Sequence, residues 1–430
     1  MKKVAFKTLG CRLNIFETDS IASQFSGNGY EIVDFNENAD AYIINTCTVT
    51  NQSDHKSRQV INQSKKVNSK AITIVTGCMA TNYKEKLQEN QQIDYVIDND
   101  HKTSVFSVVD AHTNGELVSP DSFEKDLFGY QAAKDTFHTR SFIKIQDGCN
   151  NFCTFCIIPK VRGRAVSRNS ADVISNIKKV VEYGFKEVVL TGVNIGTYQD
   201  DELNFEGLVE KILNIPGDFR LRISSIEPDG YSESFFRLFE NPKLTPHMHI
   251  CLQSGSENIL KQMRRMYTAV EFKDLIKKVK QKYPDFNITT DIIVGFPGET
   301  EEEFQETIDL VKEIDFGHIH TFKYSLRKGT RAERFPDHLP DKLKSERSEI
   351  IRNISEEQRL KYRKSFIGKQ QNILVEKVDN HGWAFGHGEN YVPIKVNGIK
   401  LEKNKFYKVL INTIDNSGDE PLLIAELVGA

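Results

Sequence analysis

Two blocks of this chain alternate short apolar segments with helical segments, and this alternation restricts the fold more than any other feature. In residues 1–115 the apolar segments 4–8, 41–45 and 71–76 predict buried strands, with helices between them. Strands that alternate with helices form parallel sheets, because each crossover helix returns the chain to the same end of the sheet. The first block is therefore predicted to be an open parallel-sheet α/β domain.

The second block, residues 140–330, repeats this pattern more regularly. Its candidate strands are residues 142–146, 187–191, 220–226, 247–252, 288–294 and 318–324. Six strand–helix units favour a partial (β/α)6 barrel over a complete one. In barrels of this kind the loops that follow the strands carry the active site.

The remaining segments predict two connections and one small domain. Residues 116–139 are polar and irregular, and they predict a linker. Residues 331–369 predict a charged helical connector, and the slightly longer stretch 327–369 holds 13 lysines or arginines against 7 acidic residues. Residues 370–430 contain short apolar segments broken by Gly and Asn, which predicts a small antiparallel β-barrel.

Composition excludes several classes of protein. No run of about 18 apolar residues occurs, which excludes a transmembrane helix, and Lys7 interrupts the apolar stretch that a signal peptide needs. We therefore expect a cytoplasmic protein without membrane contacts. The net charge is −3, so any nucleic-acid-binding surface has to be local. Seven cysteines in a reducing compartment favour metal or redox chemistry over disulfides; one of them, Cys251, lies inside an apolar strand and is interpreted as a core residue.

Three cysteines lie close together in the segment Cys149-Asn-Asn-Phe-Cys153-Thr-Phe-Cys156, and we call them the loop trio. They follow the first strand of the predicted barrel, at the end where barrel active sites lie. Because a [4Fe–4S] cluster has four iron ligands, three cysteines would leave one iron open for chemistry. A structural zinc is the alternative, but such sites usually take four protein ligands, and no fourth Cys or His lies nearby in the sequence.

Three further cysteines, Cys11, Cys47 and Cys78, each directly follow an apolar segment, and we call them the sheet trio. The ends of parallel strands meet at one edge, where open α/β sheets bind ligands, so the three thiols are predicted to converge. Gly10 and Gly77 precede two of them and allow a bulky ligand to approach. A second cluster with an open iron is predicted, and inert buried cysteines are the alternative.

The C-x-x-x-C-x-x-C spacing of the loop trio resembles the signature of the radical S-adenosylmethionine (SAM) superfamily, and the whole chain resembles the methylthiotransferases of that superfamily. The resemblance extends to residues 157–168, 249–256, 263–268 and 290–299. It implies SAM and two [4Fe–4S] clusters as cofactors, with one cluster held by the loop trio and the other by the sheet trio. It also implies that Phe155 packs beside the adenine of SAM, for which ordinary loop packing is the alternative.

Within this family, residues 8–14 and 45–50 resemble the branch that modifies N6-threonylcarbamoyladenosine in tRNA, beside the anticodon. The resemblance implies that one SAM methylates a sulfur on the cluster of the sheet trio. A second SAM yields a 5′-deoxyadenosyl radical that removes hydrogen from C2 of the adenine. The alternatives are the sister branches, which act on isopentenyladenosine in tRNA or on a ribosomal-protein aspartate, and, in another class, a non-catalytic iron–sulfur RNA-binding protein.

Polar residues at strand ends and in the family-like segments are candidates for binding SAM or the substrate. These candidates are Gly192, Asn194, Glu227, Gln253, Arg265 and Asp291. The resemblance places backbone contacts to the methionine part of SAM at residues 192–194. Arginine suits a carboxylate because its guanidinium donates two parallel hydrogen bonds. For each candidate, a surface or supporting polar role is the alternative.

A basic segment after the loop trio predicts a phosphate-binding surface for tRNA, formed by Lys160, Arg162, Arg164 and Arg168. An ordinary solvated loop is the alternative. The C-terminal barrel resembles an RNA-binding module, but residues 370–430 hold 6 lysines against 8 acidic residues, so its contacts would depend on Trp383, Phe385 or Tyr391. An external electron donor and a sulfur source are the other partners implied, and we expect a monomer.

Overall fold

The structure is a computed structural model that describes residues 2–134, 137–228, 230–397, 401–418 and 420–428. Its N-terminal domain is a parallel sheet in the order β2-β1-β3-β4-β5. The strands are β1 Lys3–Thr8, β2 Glu31–Val33, β3 Ala41–Thr46, β4 Ile72–Gly77 and β5 Tyr95–Ile97. The helices are α1 Arg12–Gly27, α2 Asn51–Val67, α3 Cys78–Asn82, α4 Lys84–Gln88 and α5 Val105–Thr113. The predicted open parallel sheet is confirmed.

The central strands of this sheet are buried on both faces. Every residue of β3 and β4 is buried, because the helices cover both sides of a parallel sheet. Helix α2 begins at a capping box in which the side chains of Thr50 and Ser53 each accept a hydrogen bond from the backbone N–H of the other. The capping box fixes where α2 begins. It thereby sets the connection from β3 to β4 and the position of both strand ends.

The segment between the two α/β domains is irregular apart from a 3₁₀ turn at Pro120–Ser122. It packs against the N-terminal domain: Tyr130 is buried in the hydrophobic core of that domain. The Ser20 hydroxyl on α1 donates a hydrogen bond to the carbonyl of Gln131 at 2.9 Å. The segment therefore joins α1 to the start of the next domain.

The central domain is a partial barrel made of two adjoining parallel sheets, β10-β9-β6 and β11-β12-β13-β14. Its strands are β6 Ser141–Lys144, β7 Gln146–Asp147, β8 Val166–Ser167, β9 Glu187–Thr191, β10 Arg220–Ile223, β11 Ser225–Ile226, β12 His247–Ile250, β13 Asn287–Val294 and β14 His318–Lys323. Its helices are α6 Ile158–Val161, α7 Ser170–Glu182, α8 Phe205–Leu213, α9 Glu233–Arg237, α10 Glu257–Gln262, α11 Ala269–Lys282 and α12 Glu301–Ile314. The predicted partial barrel is confirmed.

One predicted barrel strand is divided. The strand predicted at residues 220–226 breaks at Ser224, whose N–H donates a hydrogen bond to the Leu190 carbonyl at 3.2 Å. Before the break β10 pairs with β9, and after it β11 pairs with β12. The chain thus changes partners at Ser224, and this change joins the two sheets of the barrel.

A long helix leads to the C-terminal domain. Helix α13 Asp341–Lys364 packs along β14 and ends beside a closed barrel in the order β15-β16-β17-β19-β18. The strands are β15 Gln370–Val378, β16 Trp383–His387, β17 Pro393–Asn397, β18 Phe406–Asp415 and β19 Leu422–Leu427. No helix within the described ranges is long and apolar enough to cross a membrane.

The C-terminal barrel is closed as predicted, but it is not purely antiparallel. Strands β17 and β19 pair in parallel, and the other four pairs are antiparallel. A closed ring with an odd number of strands cannot alternate in direction all the way round, so at least one parallel pair is required. The loop before β17 contacts the base of the central barrel, where Asn287 donates a hydrogen bond to the Asn390 carbonyl at 2.7 Å.

Candidate active site

The loop trio lies between β7 and α6, where backbone hydrogen bonds shape one compact loop. The N–H of Cys149 donates to the Gly163 carbonyl at 3.2 Å, and the N–H of Cys156 donates to the Cys153 carbonyl at 3.0 Å. A further bond fastens the loop to the end of α10. All three cysteines therefore lie in one compact loop that follows β7 at the C-terminal mouth of the barrel.

The electrostatics of the loop trio favour a positively charged metal centre. Burial raises the pKa of the Cys156 thiol to about 12, with the other two thiols adding to the shift, and burial also raises the pKa of Cys149. The guanidinium of Arg265 donates a hydrogen bond to Cys153 Sγ at 3.1 Å. A bound metal would deprotonate the thiols, and Arg265 would stabilise the thiolate at Cys153.

The sheet trio lies at one edge of the N-terminal sheet. Cys11 is the N-cap of α1, Cys47 follows β3, and Cys78 is the first residue of α3. Gly10 lies so close to Cys47 that a Cβ added to the glycine would be 2.7 Å from the Cys47 Cβ and 2.9 Å from its Sγ. Three strand ends therefore bring the three thiols together, and the glycine leaves the room that they need.

The environment of the sheet trio also suits a polynuclear metal centre. Desolvation raises the pKa of Cys47, and the thiols of Cys78 and Cys11 raise it further. Desolvation also raises the pKa of Cys11, although this residue reaches the surface, and Arg162 opposes the shift. Each trio offers three thiols, whereas a structural zinc site usually takes four protein ligands. The residues present therefore fit iron–sulfur clusters better than single zinc ions.

We expect the substitution Gly10→Ala to lower the iron content, because the new methyl group would occupy the space of the Cys47 thiol. Gly29→Ala is the matched control: both glycines have a positive φ, 95° and 81°, but the methyl group at Gly29 meets nothing within 4 Å. Both variants should lose about 1–3 kcal/mol of stability from backbone strain. Iron per chain after anaerobic reconstitution is the measurement, and equal iron in both variants would contradict the role given to Gly10.

Helix α6 connects the two trios. Ile157 directly follows Cys156 in the sequence, and it packs together with Val161 and Cys78 in one buried apolar cluster. Asn99, in the N-terminal domain, donates a hydrogen bond to the Val161 carbonyl at 2.8 Å, and its side-chain nitrogen lies 3.8 Å from Cys78 Sγ. The chain that leaves the loop trio is therefore packed directly on the sheet trio, and the two sites are neighbours.

A buried charge network stabilises this contact between the domains. Arg162 Nη1 lies 3.0 Å from Glu17 Oε1 and 2.9 Å from Asp147 Oδ2. Lys144 Nζ lies 3.0 Å from Glu17 Oε1, and Lys102 Nζ also pairs with Glu17. Three cations thus share two carboxylates, and α1 is held against the start of the barrel.

The predicted RNA-binding segment is only partly exposed, which corrects its extent. The Arg162 guanidinium is buried in the charge network, and Arg168 is buried and donates a hydrogen bond to the Tyr130 carbonyl at 3.3 Å. Both find buried acceptors in distant parts of the chain, so neither can contact RNA from this position. Lys160 and Arg164 are exposed, and they are what remains of the predicted basic surface.

Among the predicted SAM-binding residues, the loop after β9 is held rigidly. Gln146 Oε1 accepts hydrogen bonds from the N–H groups of Val193 at 3.0 Å and Asn194 at 2.9 Å. A Cβ on Gly192 would lie 2.6 Å from the Ile195 side chain. This loop therefore has a fixed backbone at the barrel mouth, as a backbone-contacting site requires.

Two other predicted residues are directly linked to the loop trio. Arg265, which bonds to Cys153, also forms a salt bridge with Glu227. Phe155 lies inside the trio loop and packs edge-on against Phe296, with ring centroids 6.5 Å apart. These side chains lie next to the loop trio, on the side that faces the barrel.

Gln253 and Asp291 lie on neighbouring parts of the barrel wall. The N–H of Gln253 donates a hydrogen bond to the Asp291 carbonyl at 2.8 Å. The Asp291 carboxylate pairs with His249 Nε2 at 3.1 Å, and Cys251 Sγ lies 4.0 Å from the same carboxylate. Cys251 is buried, as a core residue should be, but it is next to polar groups rather than in a purely apolar environment.

A group of arginines inside the barrel was not predicted from the sequence. The Glu187 carboxylate lies 2.6 Å from Arg220, 3.3 Å from Arg140 and 3.4 Å from Arg222. Arg222 also stacks on Tyr391, with its Cζ 3.7 Å from the ring centroid. Tyr391, one of the aromatic residues predicted to contact RNA, therefore packs against the central barrel. The alternation of charged and apolar residues in β10 is the signal that could have placed these arginines inside.

Arg12 approaches the same group from the N-terminal domain. Desolvation lowers the pKa of its guanidinium to about 10, and the positive charge of Arg222 contributes to the shift. Desolvation and the same two arginines also lower the pKa of His247 well below its usual value. Arg12, which follows a cysteine of the sheet trio, therefore lies among other cationic groups of the barrel interior.

Comparisons with known proteins agree with this arrangement of sites. Residues 3–98 match the family model described as uncharacterized protein family UPF0004, and residues 143–311 match the radical SAM superfamily. The threonylcarbamoyladenosine tRNA methylthiotransferase MtaB of Aquifex aeolicus is 38% identical over 415 residues, which cover 95% of this chain and 100% of the relative. The protein of the same name in Bacillus subtilis is 37% identical, with 96% and 94% covered. The chain belongs to the radical SAM methylthiotransferase family.

This methylthiotransferase also resembles a second group of relatives. The tRNA-2-methylthio-N(6)-dimethylallyladenosine synthase of Syntrophus aciditrophicus is 33% identical over 386 residues, covering 87% of the chain and 84% of the relative. Of solved structures, the radical SAM methyltransferase TsrM of Kitasatospora setae has a TM-score of 0.55 at 14% identity, with 75% of this chain and 73% of TsrM covered. That similarity supports the fold alone.

The cofactors of the methylthiotransferase follow from its family and fit its residues. The enzyme uses SAM and iron–sulfur clusters. Both trios offer three thiols, and buried cationic groups lie beside each of them: Arg265 at the loop trio and Arg162 at the sheet trio. These positive charges offset the negative charge of thiolate-bound clusters.

Proposed function

We propose that this enzyme converts N6-threonylcarbamoyladenosine in tRNA to its 2-methylthio derivative. The observation that carries the proposal is that α6 packs the chain of the loop trio directly on Cys78 of the sheet trio. Two neighbouring metal sites can act on one substrate atom, which the replacement of hydrogen by a sulfur group requires. The names of the Aquifex and Bacillus relatives support this nucleoside as the substrate.

In this proposal each trio binds one [4Fe–4S] cluster and leaves one iron without a protein ligand. When bound, the clusters and SAM supply the radical chemistry and the sulfur needed to replace an unactivated aromatic C–H bond. The side chains and backbone of the protein position the reactants. Arg265 stabilises the Cys153 thiolate and orients Glu227, while Gln146 fixes the backbone at residues 192–194 for SAM. Phe155, Gln253 and Asp291 complete the set of residues that we assign to SAM or the substrate.

The tRNA contact in this proposal is an exposed basic surface around the mouth of the barrel. Arg164 lies over the Phe152 ring at 4.2 Å and Arg264 lies 6.0 Å from the same ring, and both are exposed. Lys160 lies 3.3 Å from the position of a Cβ on Gly329, so the loop after β14 borders this surface. Phosphate contacts from such residues position the RNA without reading its sequence. We propose that the enzyme acts on tRNA in the cytoplasm as a monomer, with an external electron donor and a sulfur source.

Nucleoside mass spectrometry of tRNA from cells that lack the gene tests the proposed function. We expect the 2-methylthio derivative of threonylcarbamoyladenosine to disappear completely and its unmethylthiolated precursor to accumulate. The 2-methylthio derivative of isopentenyladenosine in the same sample is the control and should not change. Loss of that control nucleoside instead would assign the enzyme to the sister tRNA branch, and unchanged tRNA would indicate a protein substrate.

A further inference from the structure

Two guanidinium groups that meet at the central barrel, Arg222 of β10 and Arg12 of α1, have no hydrogen-bond acceptor among the described residues. All three nitrogens of the Arg222 guanidinium lack a hydrogen bond to any described residue, although the side chain is only 1% exposed. Arg12 forms neither a hydrogen bond nor an ion pair within the described parts of the chain, and it is only partly exposed. Buried arginines without acceptors are costly, so such a pair points to a ligand that supplies them.

The carboxylates nearby are already shared. Glu187 serves Arg140 and Arg220 as well as Arg222, and its distance to Arg222 is the longest of the three at 3.4 Å. The Asp291 carboxylate pairs with His249. A third carboxylate, Glu376, pairs with Arg140. Four arginines, Arg12, Arg140, Arg220 and Arg222, thus meet three carboxylates, and the Tyr391 ring lies against the Arg222 guanidinium with its centroid 3.7 Å from Cζ. The excess of one positive charge and the unpaired guanidinium nitrogens of Arg222 would suit an anion at this place.

The position of Arg12 connects this anion site with the chemistry. Arg12 directly follows Cys11 of the sheet trio, so one short stretch of backbone places a thiol at the metal site and a guanidinium toward the barrel. A substrate base held beside the sheet trio would therefore direct a substituent of several atoms at Arg12 and Arg222. In threonylcarbamoyladenosine that substituent ends in a carboxylate, the only anionic group on the base.

We propose that Arg12 and Arg222 bind the carboxylate of the threonyl group and thereby select threonylcarbamoyladenosine over bases with an apolar substituent. This inference rests on the proposed function and adds the residues that determine its specificity. A carboxylate can accept parallel hydrogen bonds from a guanidinium. A dimethylallyl group would leave both guanidiniums buried without an acceptor, and sites built for polar groups reject analogues that lack them.

The test compares two anticodon stem–loop RNAs, one with threonylcarbamoyladenosine and one in which the threonyl carboxylate is replaced by the carboxamide. The carboxamide has nearly the same shape but no charge. We expect the wild-type enzyme to lose about 10- to 100-fold in kcat/KM and in binding affinity on the carboxamide RNA, as loss of charge-assisted hydrogen bonds predicts. Equal kcat/KM and equal affinity for the two RNAs would overturn the proposal.

Variants then assign the effect to these residues. Arg12→Gln should lose about as much on the natural RNA and nothing further on the carboxamide RNA, because both changes remove the same interaction. Arg222→Lys keeps the positive charge but cannot donate two parallel hydrogen bonds. It is the second variant in case Arg12→Gln disturbs the sheet trio, and the iron content shows whether such a disturbance occurs. Arg58→Gln, which removes an exposed arginine of α2, is the control and should treat both RNAs as the wild type does. Discrimination that survives unchanged in both Arg12→Gln and Arg222→Lys would also overturn the proposal.

The binding measurement separates this inference from the proposed function. It needs no turnover, so it reports on the carboxylate site even if the enzyme does not methylthiolate this nucleoside. Tight binding of the natural RNA that depends on Arg12, without product, would contradict the proposed function and support the anion site. Turnover of the natural RNA without preference over the carboxamide RNA would support the proposed function and contradict the anion site. Unchanged SAM affinity in Arg12→Gln would show that the carboxylate concerned is not that of SAM, and a loss of SAM affinity would overturn the proposal.

Discussion

Replacement of all three cysteines of the sheet trio by alanine is expected to halve the iron content, from about eight to about four atoms per chain. The loop trio supplies its own three thiols and its own backbone bonds, so the variant should still cleave SAM to 5′-deoxyadenosine in the presence of a reductant. It should form no methylthiolated product, because the site that would carry the sulfur is lost. Iron analysis and chromatography of both products measure these outcomes.

Two further variants complete this experiment. The triple alanine variant of the loop trio should lose both 5′-deoxyadenosine and the methylthiolated product. Cys251→Ala is the control for iron content. This buried cysteine directly follows β12 and belongs to neither trio. It should retain the full amount of iron. Iron that remains unchanged after loss of the sheet trio would show that this trio binds no cluster.

The second large effect concerns stability. Glu17→Gln should destabilise the apoprotein by about 3–5 kcal/mol, because loss of this carboxylate leaves buried cations without compensation. Arg162, Lys144 and Lys102 all pair with Glu17, and its side chain is only 2% exposed. Glu31→Gln is the matched control: its pair with Lys3 is 4.0 Å long and exposed, so it should cost less than about 1 kcal/mol. Anaerobic urea unfolding of both variants is the measurement, and equal losses would contradict the role of the network.

The same residue predicts a dependence of stability on pH. Burial alone would raise the pKa of Glu17, but Arg162, Lys102 and Lys144 lower it well below its usual value. A carboxyl group whose pKa is lower in the folded state stabilises the protein fully above the pKa of the unfolded chain. That contribution is lost as the pH falls toward the lower, folded-state pKa. The stability difference between the wild type and Glu17→Gln should therefore shrink below about pH 4.5, and a difference that grows there would contradict the prediction.

The sequence predicts the parts of this fold that depend on local patterns. The central strands of the N-terminal sheet are mostly apolar, so their burial is encoded locally. Several barrel strands, such as β10 and β12, instead alternate polar and apolar residues, and this alternation still identifies them as strands. The edge strands β2 and β5 are three residues long, which is too short for a periodic pattern to show. Strand β19 is an apolar run at the end of the chain, and periodicity cannot distinguish such a run from a buried helix.

The candidate site shows the same limit. The clustering of thiols was predictable, because strand ends in a parallel sheet meet at one edge. The burial of Arg162 was not, since the Glu17 carboxylate that binds it lies 145 residues away in the sequence. Arg12 was beyond prediction for a similar reason: its surroundings come from the barrel and from Tyr391 of the C-terminal domain. Pairing between distant segments decides whether a charged residue faces solvent or the interior.

The packing of α6 on Cys78 has a consequence for how the enzyme matures. Ile157 and Val161 contribute to the wall of one metal site while the cysteine just before them belongs to the other. Because the same short helix borders both sites, a cluster at one site would also hold the wall of the other. Delivery of the first cluster should therefore prepare the protein for the second. The loop trio can still hold its cluster alone, but the second site should fill faster once the first is filled.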